Sequence, residues 1–220
     1  IFATWGIPSF GDRHFKAMPN LKAVFYAAGN VKSFATPLID RNITLVGGWD
    51  INAIPVAEMC LSQVLLSLRG YFRATRRYAD LKTHDAKSFP RSGVSGESVG
   101  LIGLGKIGTR LRNLLATYPI KVLAYDPFLT DERAEQLSVE SVSLVELFKR
   151  SLVVSNHIPD IESTVGTLRH EHFSEMRDGA TFINSGRGAQ VVEADLIRVL
   201  ENRSDITALL DVTLPEPPIQ

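Results

Sequence analysis

Three glycines form the clearest candidate binding site in this sequence. Gly103, Gly105 and Gly108 follow the apolar run 99–102 and precede the leucine-spaced stretch 109–116, which predicts a helix. In this G-x-G-x-x-G pattern the first glycine permits a tight turn and the second lets a pyrophosphate approach the backbone. The third lets helix and strand pack closely. The start of the helix offers unpaired amides and a positive dipole end to phosphate. The pattern therefore predicts a dinucleotide-binding turn.

An acidic residue follows at the distance that ribose recognition requires. Asp126 closes the apolar run 121–126 and lies 18 positions after Gly108, near the spacing of about 20 typical of such folds. A carboxylate there accepts hydrogen bonds from ribose hydroxyls and repels a 2′-phosphate. Residues 127–129 contain no cation to offset that repulsion, which favours NAD over NADP. The alternative is a solvated aspartate at a turn before Pro127.

An arginine between two glycines is the candidate for substrate binding. Gly186-Arg187-Gly188 follows the predicted strand 181–184. The glycines let the backbone bend, and the planar guanidinium suits bidentate binding of a carboxylate and polarisation of a neighbouring carbonyl. The alternative is an arginine in a surface salt bridge.

Two other predicted strands end in polar groups, and ligands of such sheets bind at the carboxyl ends of the strands. His157 and Pro159 are candidates to wall the adenine side of a cofactor, with a local hydrogen-bonding role as the alternative for His157. Asp211 lies at a strand tip, and Glu216 follows five residues later. A carboxylate at 216 could orient a histidine and raise its pKa. The alternative is a solvated side chain in a proline-rich loop.

Strand and helix patterns alternate along the chain, which predicts an α/β fold with a doubly wound parallel sheet. The predicted strands are 1–5, 21–26, 43–46, 99–102, 121–126, 152–155, 181–184 and 207–212. The predicted helices are 12–18, 54–81, 109–116, 131–137, 144–150, 171–176 and 193–202. Residues 82–98, rich in Ser, Gly and Pro, are predicted to be a connector.

Composition excludes several classes of function. The 220 residues carry 24 basic and 24 acidic side chains, so we expect no nucleic-acid partner and no anionic membrane surface. We expect no signal peptide and no apolar span of about 18 residues. The single cysteine, Cys60, allows no intrachain disulfide and fits a reducing, cytoplasmic setting. His170-Glu-His172 is expected at the surface rather than as a metal pair, so no metal is predicted.

Taken together, these stretches resemble the D-isomer-specific 2-hydroxyacid dehydrogenases along essentially the whole chain. The matching stretches are AAGN, NAIPVAE, VGLIGLGKIG, AYDP, SNHIPDIEST, NSGRGAQVVEADL and LDVTLPEP. The resemblance implies NAD-dependent hydride transfer between a 2-oxo acid and a D-2-hydroxy acid. It also implies part of a smaller, flavodoxin-like substrate domain at 1–52 and a Rossmann-type NAD domain at 53–220. The helix at 53–81 would lie between the domains and build a homodimer.

The resemblance further assigns roles to single residues. Arg187 matches the catalytic arginine and contacts substrate, and Glu216 matches the catalytic glutamate. Ala28 and Gly29 would offer amides to the substrate carboxylate. The implied cofactor-binding residues are Gly103, Gly105, Lys106, Ile107, Gly108, Asp126, His157, Ile158, Pro159, Thr164, Ser185, Gly186, Arg187 and Asp211.

The sequence departs from the family pattern in two places. Val192 stands where an aspartate is common, which we expect to affect only helix capping. The family's catalytic histidine lies downstream of the glutamate, and none of the five histidines follows Glu216. We therefore expect a fragment that lacks this histidine and the start of the substrate domain. An NAD(H)-responsive, corepressor-like interaction protein on the same scaffold is the alternative function.

Overall fold

In the computed structural model, which describes residues 1–80 and 93–218, the chain divides into two units. Unit 1 is Ile1–Val56 and unit 2 is Ala57–Gln220. The predicted boundary between residues 52 and 53 lies slightly earlier than this division. Most of the predicted connector 82–98 falls on residues 81–92, which lie outside the described residues. The assignment of the first unit to a substrate-binding domain and of the second to an NAD domain stays a prediction.

Unit 1 contains three parallel strands in the order β1 (Phe2–Ala3), β2 (Ala23–Tyr26) and β3 (Thr44–Gly47). The side chains of β2 alternate between the two faces of the sheet. Val24 and Tyr26 lie in the core, whereas Phe25 lies on the opposite, exposed face. The core is completed by Phe10, Ala28, Phe34, Leu38 and Ile43.

Two short helices cover the core of unit 1. They are α1 (Asp12–Ala17) and α2 (Ala35–Ile39). The sequence patterns above predict α1 but not α2, which contains Pro37. This proline lies in the first turn of α2, where its missing N–H would have no intrahelical partner in any case. A proline at that position is compatible with a helix.

The predicted helix 53–81 is in fact two helices. α3 (Trp49–Leu68) begins earlier than predicted, and α4 (Tyr71–Asp80) follows after a break. Gly70 lies in the break with φ of +71°, a left-handed conformation that ends helices and that glycine adopts most readily. Its N–H donates to the Ser67 carbonyl at 2.8 Å. The prediction of one helix is wrong because a glycine inside an apolar pattern can also end a helix.

α3 is long and apolar enough, by length and composition alone, to cross a membrane. The expectation that the chain has no such apolar span is therefore wrong. Within unit 2, one face of α3 is buried and consists of Ala57, Cys60, Val64 and Leu68. These residues recur at helical spacing, and interior helices of globular proteins reach the same composition by burying such a face.

The described part of unit 2 contains six parallel strands, which are β4 (Ser98–Ile102), β5 (Lys121–Tyr125), β6 (Glu140–Ser141), β7 (Val153–Asn156), β8 (Thr181–Asn184) and β9 (Thr207–Leu210). Their order in the sheet is β6-β5-β4-β7-β8-β9. The strand order reverses between β4 and β7, as in doubly wound dinucleotide-binding sheets. Because every pair of neighbours is parallel, the carboxyl ends of the strands meet at one edge.

Five helices connect these strands. They are α5 (Lys106–Leu115), α6 (Asp131–Gln136), α7 (Leu144–Arg150), α8 (His170–Phe173) and α9 (Glu193–Asn202). Two 3₁₀ turns, Glu162–Thr164 and Gly188–Gln190, complete the connections. The predicted fold class, an α/β protein with a doubly wound parallel sheet, is confirmed.

The two neighbouring histidines of α8 occupy different environments. His170 is exposed, but His172 is only 6% exposed, which corrects the expectation that both lie at the surface. The Nδ1 atom of His172 accepts the Arg169 N–H at 3.2 Å, and burial lowers the pKa of the imidazole. His172 therefore caps the start of α8 as a neutral ring beside Phe148. Within residues 1–80 and 93–218, no group of three or more His, Cys, Asp or Glu could hold a metal ion.

An ion-pair network joins the turn before β8 to the turn before β9. Arg203 Nη2 donates to Asp178 Oδ1 and Arg203 Nε to Asp205 Oδ1, each at 2.9 Å. Asp205 Oδ2 accepts the Gly179 N–H at 2.6 Å. The hydrogen bond from Arg203 is the main reason that the pKa of Asp205 falls to about 2.

Asp205→Asn is expected to lower the free energy of unfolding at pH 7 by about 1 kcal/mol. The pKa of the carboxyl is about 3.9 in an unfolded chain and about 2 when folded. Its stabilisation is therefore present above pH 4 and is lost as the pH falls toward 2. The value stays near 1 kcal/mol because the side chain is 31% exposed. Urea unfolding of both proteins from pH 2 to 7 measures this, and identical acid slopes would contradict it.

Candidate active site

The glycine turn connects β4 to α5 at the carboxyl edge of the sheet. Gly103 has φ of +87°, a conformation that favours glycine. Its N–H donates to the Tyr125 carbonyl at 2.8 Å, and a Cβ added to it would lie 3.1 Å from the His157 backbone. On the α5 side, the Thr109 hydroxyl donates to the Leu104 carbonyl at 2.8 Å. The turn is thus fixed by contacts with β5, β7 and α5.

The second and third glycines differ in the space around them. Gly105 caps the N-terminus of α5, and a Cβ built on it would meet no described atom within 4 Å. A Cβ on Gly108 would instead overlap the Gly103 carbonyl oxygen. An open approach at the second glycine and close packing at the third match the roles expected of them. Lys106 and Ile107 are the first residues of α5, at the positive end of the helix dipole.

Asp126 follows β5 and lies beside the turn. Its Oδ2 accepts the Leu104 N–H at 2.8 Å, and its Oδ1 accepts the Phe128 N–H at 2.9 Å. Each oxygen keeps a further lone pair, and the side chain is only half-buried. The carboxylate can therefore accept ribose hydroxyls while it also holds the glycine turn. This second role is one that the sequence pattern does not predict.

His157 follows β7 and lies against the glycine turn, with 8% of its surface exposed. Its Nδ1 is 2.8 Å from Ser185 Oγ, and that hydroxyl donates to the Asn156 carbonyl at 3.2 Å. Ser185 is then the acceptor, which assigns the imidazole proton to Nδ1. Burial lowers the pKa of His157 to about 3, so the ring is neutral near pH 7. Its direct contact with a cofactor stays a prediction.

The segment after His157 is held in shape by a threonine. Ile158 is buried and Pro159 is exposed. The Thr164 hydroxyl donates to the Pro159 carbonyl at 2.7 Å and accepts the Ile161 N–H at 3.3 Å. Thr164 thus closes the loop that begins at Pro159, and a cofactor-lining role of Ile158, Pro159 and Thr164 stays a prediction.

Arg187 lies in the turn that follows β8. Its side chain is half-buried, and Nη1 donates to the Gly186 carbonyl at 2.6 Å. A Cβ on Gly188 would overlap the Thr213 backbone, so this turn packs against the segment that follows β9. The guanidinium has further donors beyond the one used here. Arg187, Ser185 and Gly186 therefore stand at the same sheet edge as the glycine turn.

Three buried amide side chains tie the ends of β7 and β8 together, and the sequence analysis does not identify them. They are Asn156, Asn184 and Gln190. Asn156 Nδ2 donates to Asn184 Oδ1 at 2.9 Å and to Gln190 Oε1 at 2.7 Å. Asn156 and Gln190 interrupt the apolar runs VVSNHIP and GAQVV. That interruption is the signal that could have found them, because a buried amide requires partners.

Asp211 and Glu216 lie in the exposed segment after β9. The Asp211 N–H donates to the Asn184 carbonyl at 3.0 Å, and Glu193 Oε1 accepts the Leu214 N–H at 2.7 Å. These contacts hold the segment against β8 and α9. Val192 precedes α9 without a side-chain capping bond, and the expectation that it affects only helix capping stays a prediction. The roles of Asp211 near a nicotinamide and of Glu216 in catalysis stay predictions.

Ala28 and Gly29 belong to unit 1, where they follow β2. Ala28 is fully buried and Gly29 is half-buried. Their position after a parallel strand is one from which backbone amides can face a ligand. Binding of a substrate carboxylate by these two residues stays a prediction.

The arrangement at the edge of unit 2 fits a dinucleotide. The open space beside Gly105 would admit a pyrophosphate to the amides of Lys106 and Ile107. Asp126, at the tip of β5, would receive the ribose. The glycine turn follows β4, which borders the point where the strand order reverses, and Asp126 follows the neighbouring strand β5. Ligands of such sheets usually bind at that point.

Sequence comparison supports the same interpretation. The family model described as D-isomer specific 2-hydroxyacid dehydrogenase, NAD binding domain, matches residues 61–220. D-3-phosphoglycerate dehydrogenase of Archaeoglobus fulgidus is 32% identical over 204 residues, which cover 92% of this chain and 38% of that protein. The chain therefore spans about two-fifths of the length of this curated relative.

Two solved structures share the fold. D-lactate dehydrogenase with NAD⁺ from Lactobacillus jensenii has a TM-score of 0.80 and 24% identity, covering 98% of this chain and 66% of that one. D-lactate dehydrogenase from Aquifex aeolicus, complexed with NAD and lactic acid, has a TM-score of 0.74 and 25% identity, covering 97% and 64%. Because the family model spans well over half of the chain, the chain belongs to the D-isomer specific 2-hydroxyacid dehydrogenase family.

Proposed function

We propose that the full-length gene product transfers a hydride between NAD(H) and a 2-oxo acid/D-2-hydroxy acid pair. One observation carries this proposal above the others. Arg187 follows β8 at the edge of the same parallel sheet that presents the glycine turn after β4. A cation suited to a carboxylate and a site suited to a dinucleotide are thereby combined in one unit of the chain.

The residues of this chain would divide the chemistry as follows. When bound, NAD(H) supplies or accepts the hydride. The Arg187 guanidinium would bind the substrate carboxylate and donate to the carbonyl oxygen, where negative charge develops. Glu216 would orient a catalytic imidazole and raise its pKa.

A steady-state assay of the full-length gene product with NADH and a panel of 2-oxo acids tests the proposal. Oxidation of NADH that depends on one or more of these acids, with formation of the D-hydroxy acid, is the expected result. Members of this panel should include glyoxylate, pyruvate, hydroxypyruvate and phosphohydroxypyruvate. Tight NADH binding without turnover of any 2-oxo acid would contradict the proposal.

Asp126→Ala is expected to weaken NADH binding by about 10- to 150-fold and to narrow the preference for NADH over NADPH. Loss of charged hydrogen bonds to the ribose is worth about 1.5–3 kcal/mol, and the repulsion of a 2′-phosphate disappears with the carboxylate. Fluorescence titration with NADH and NADPH gives both dissociation constants. An unchanged ratio of the two constants would remove Asp126 from cofactor selection.

Asp126→Asn is the matched control. It keeps an oxygen that can accept the Leu104 N–H but removes the negative charge. The asparagine variant should therefore retain the shape of the turn and still accept NADPH better than the unmodified protein. If only the alanine variant changes the preference, the cause is distortion of the turn rather than charge.

We also propose that α3 contributes to a homodimer interface. On the part of α3 within unit 2, Met59 and Leu66 lie opposite the buried face, and Leu66 is 39% exposed. Exposed apolar helix faces of this kind commonly mark interfaces. Sedimentation of the full-length protein tests this, and a monomeric mass at micromolar concentration would contradict it.

A further inference from the structure

Three buried amide side chains, two at the ends of β7 and β8 and one in the 3₁₀ turn that follows β8, form one hydrogen-bonded network. Asn156, Asn184 and Gln190 are 0%, 1% and 1% exposed, respectively. A buried amide without partners is costly, so a network of this kind holds its neighbours in one arrangement. It stands between the segment after His157 and the turn that carries Arg187.

Gln190 uses its entire hydrogen-bonding capacity in this network. Its Oε1 accepts Asn156 Nδ2 at 2.7 Å and the Arg187 N–H at 3.0 Å. Its Nε2 donates to the carbonyls of Ile158 at 2.8 Å and Pro159 at 2.9 Å. A glutamine amide has two donors and two acceptor lone pairs. Because two partners are backbone carbonyls and one is a backbone N–H, only one orientation of the amide satisfies all four bonds.

The backbone of Arg187 is held on both sides by the network. Its N–H donates to Gln190 Oε1, and its carbonyl accepts Asn184 Nδ2 at 3.2 Å. A Cβ on Gly186 would overlap Gln190 Oε1, so no side chain at 186 can coexist with the glutamine in this position. The backbone position from which the Arg187 side chain extends is therefore fixed by buried amides rather than by solvent-exposed loop residues.

We propose that Gln190 is a positioning residue for Arg187, acting with Asn156 and Asn184, and that it couples Arg187 to the 158–159 segment. The catalytic part of this inference rests on the proposed function. A displacement of a catalytic group by about 1 Å can cost on the order of 100-fold in rate. Loss of the Gln190 hydrogen bonds is thus expected to slow the chemical step by displacing Arg187.

The test compares Gln190→Met with the unmodified full-length protein. Methionine has a similar volume and no amide. Hydrogen exchange of the Arg187 amide is expected to become at least about tenfold faster, since its acceptor is lost. The kcat for 2-oxo acid reduction is expected to fall about 10- to 100-fold. The dissociation constant of NADH should change at least tenfold less than kcat.

Two further variants make the result decisive. The double variant Asn156→Leu/Gln190→Leu removes both partners of the Asn156–Gln190 bond, so neither of these two amides is left buried without the other. If Gln190→Met does not fold, Arg187 amide exchange and kcat can be measured in this double variant instead. Asp205→Asn, in the network at the opposite end of β8 and β9, is the control for general loss of stability. It should lower Tm without changing Arg187 exchange or kcat.

Each outcome bears on a separate claim. Unchanged Arg187 exchange in both Gln190 variants would overturn the positioning role. Faster exchange with unaltered kcat and KM in an active protein would overturn it as well. If the unmodified protein reduces no 2-oxo acid, the proposed function fails, and the exchange data alone then decide whether Gln190 holds Arg187.

Discussion

Arg187→Gln is expected to lower kcat/KM of the full-length gene product toward its 2-oxo acid by about 30- to 1000-fold. This corresponds to about 2–4 kcal/mol of transition-state stabilisation, the scale of one preorganised donor. Glutamine retains an N–H donor but loses the permanent charge and the fork that fits a carboxylate. Steady-state kinetics at saturating NADH measure the change, and an unchanged kcat/KM would exclude Arg187 from the mechanism.

Arg187→Lys separates the effect of charge from that of geometry. A lysine keeps the charge but cannot present two parallel N–H groups. If the fork matters, this variant should recover less than a tenth of the lost activity. Full activity in the lysine variant would mean that a point charge is sufficient, which contradicts bidentate binding.

Gly108→Ala is expected to cause the largest loss of folding stability among these variants, and Gly105→Ala is its matched control. A methyl group on Gly108 would overlap the Gly103 carbonyl oxygen, whereas one on Gly105 would meet no described atom within 4 Å. We expect Gly108→Ala to lower the free energy of unfolding by about 3 kcal/mol. Gly105→Ala should lower it by no more than about 1 kcal/mol, because alanine caps a helix less well than glycine. Both variants should weaken NADH binding, since the methyl of Gly105→Ala enters the space proposed for the pyrophosphate.

Urea unfolding and NADH titration of the two variants separate folding from binding. The expected pattern is a large loss of both stability and NADH affinity in Gly108→Ala. In Gly105→Ala, NADH affinity should fall by at least about tenfold with only a small loss of stability. Unaltered NADH affinity in Gly105→Ala would show that no phosphate lies beside this residue. Equal stability of the two variants would contradict the packing that we describe between the turn and α5.

The sequence predicts the fold class and the glycine turn because both depend on local patterns. Buried parallel strands are continuous apolar runs, and the turn requires glycine at fixed positions. Gly103 and Gly108 have the conformation and the packing expected of them. The sequence also predicts that Asp126 and Arg187 lie at one edge of the sheet, because each follows a strand and the strands are parallel.

The remaining features depend on tertiary contacts, which a local pattern does not contain. Gly70 adopts a left-handed conformation just after α3, but a glycine inside an apolar pattern does not by itself indicate whether the helix ends there. His172 is buried because its ring caps α8 beside Phe148. Gln190 reaches residues more than 30 positions away along the chain, so its partners become evident only in three dimensions.

The hydrogen bond from the Leu104 amide to Asp126 has a consequence for redesign of the cofactor preference. The carboxylate that would repel a 2′-phosphate also holds the backbone on which the diphosphate would rest. A change of selectivity toward NADP therefore has to meet two requirements at once. The negative charge must be removed, and the Leu104 amide must keep an acceptor, as the amide oxygen of Asp126→Asn would provide.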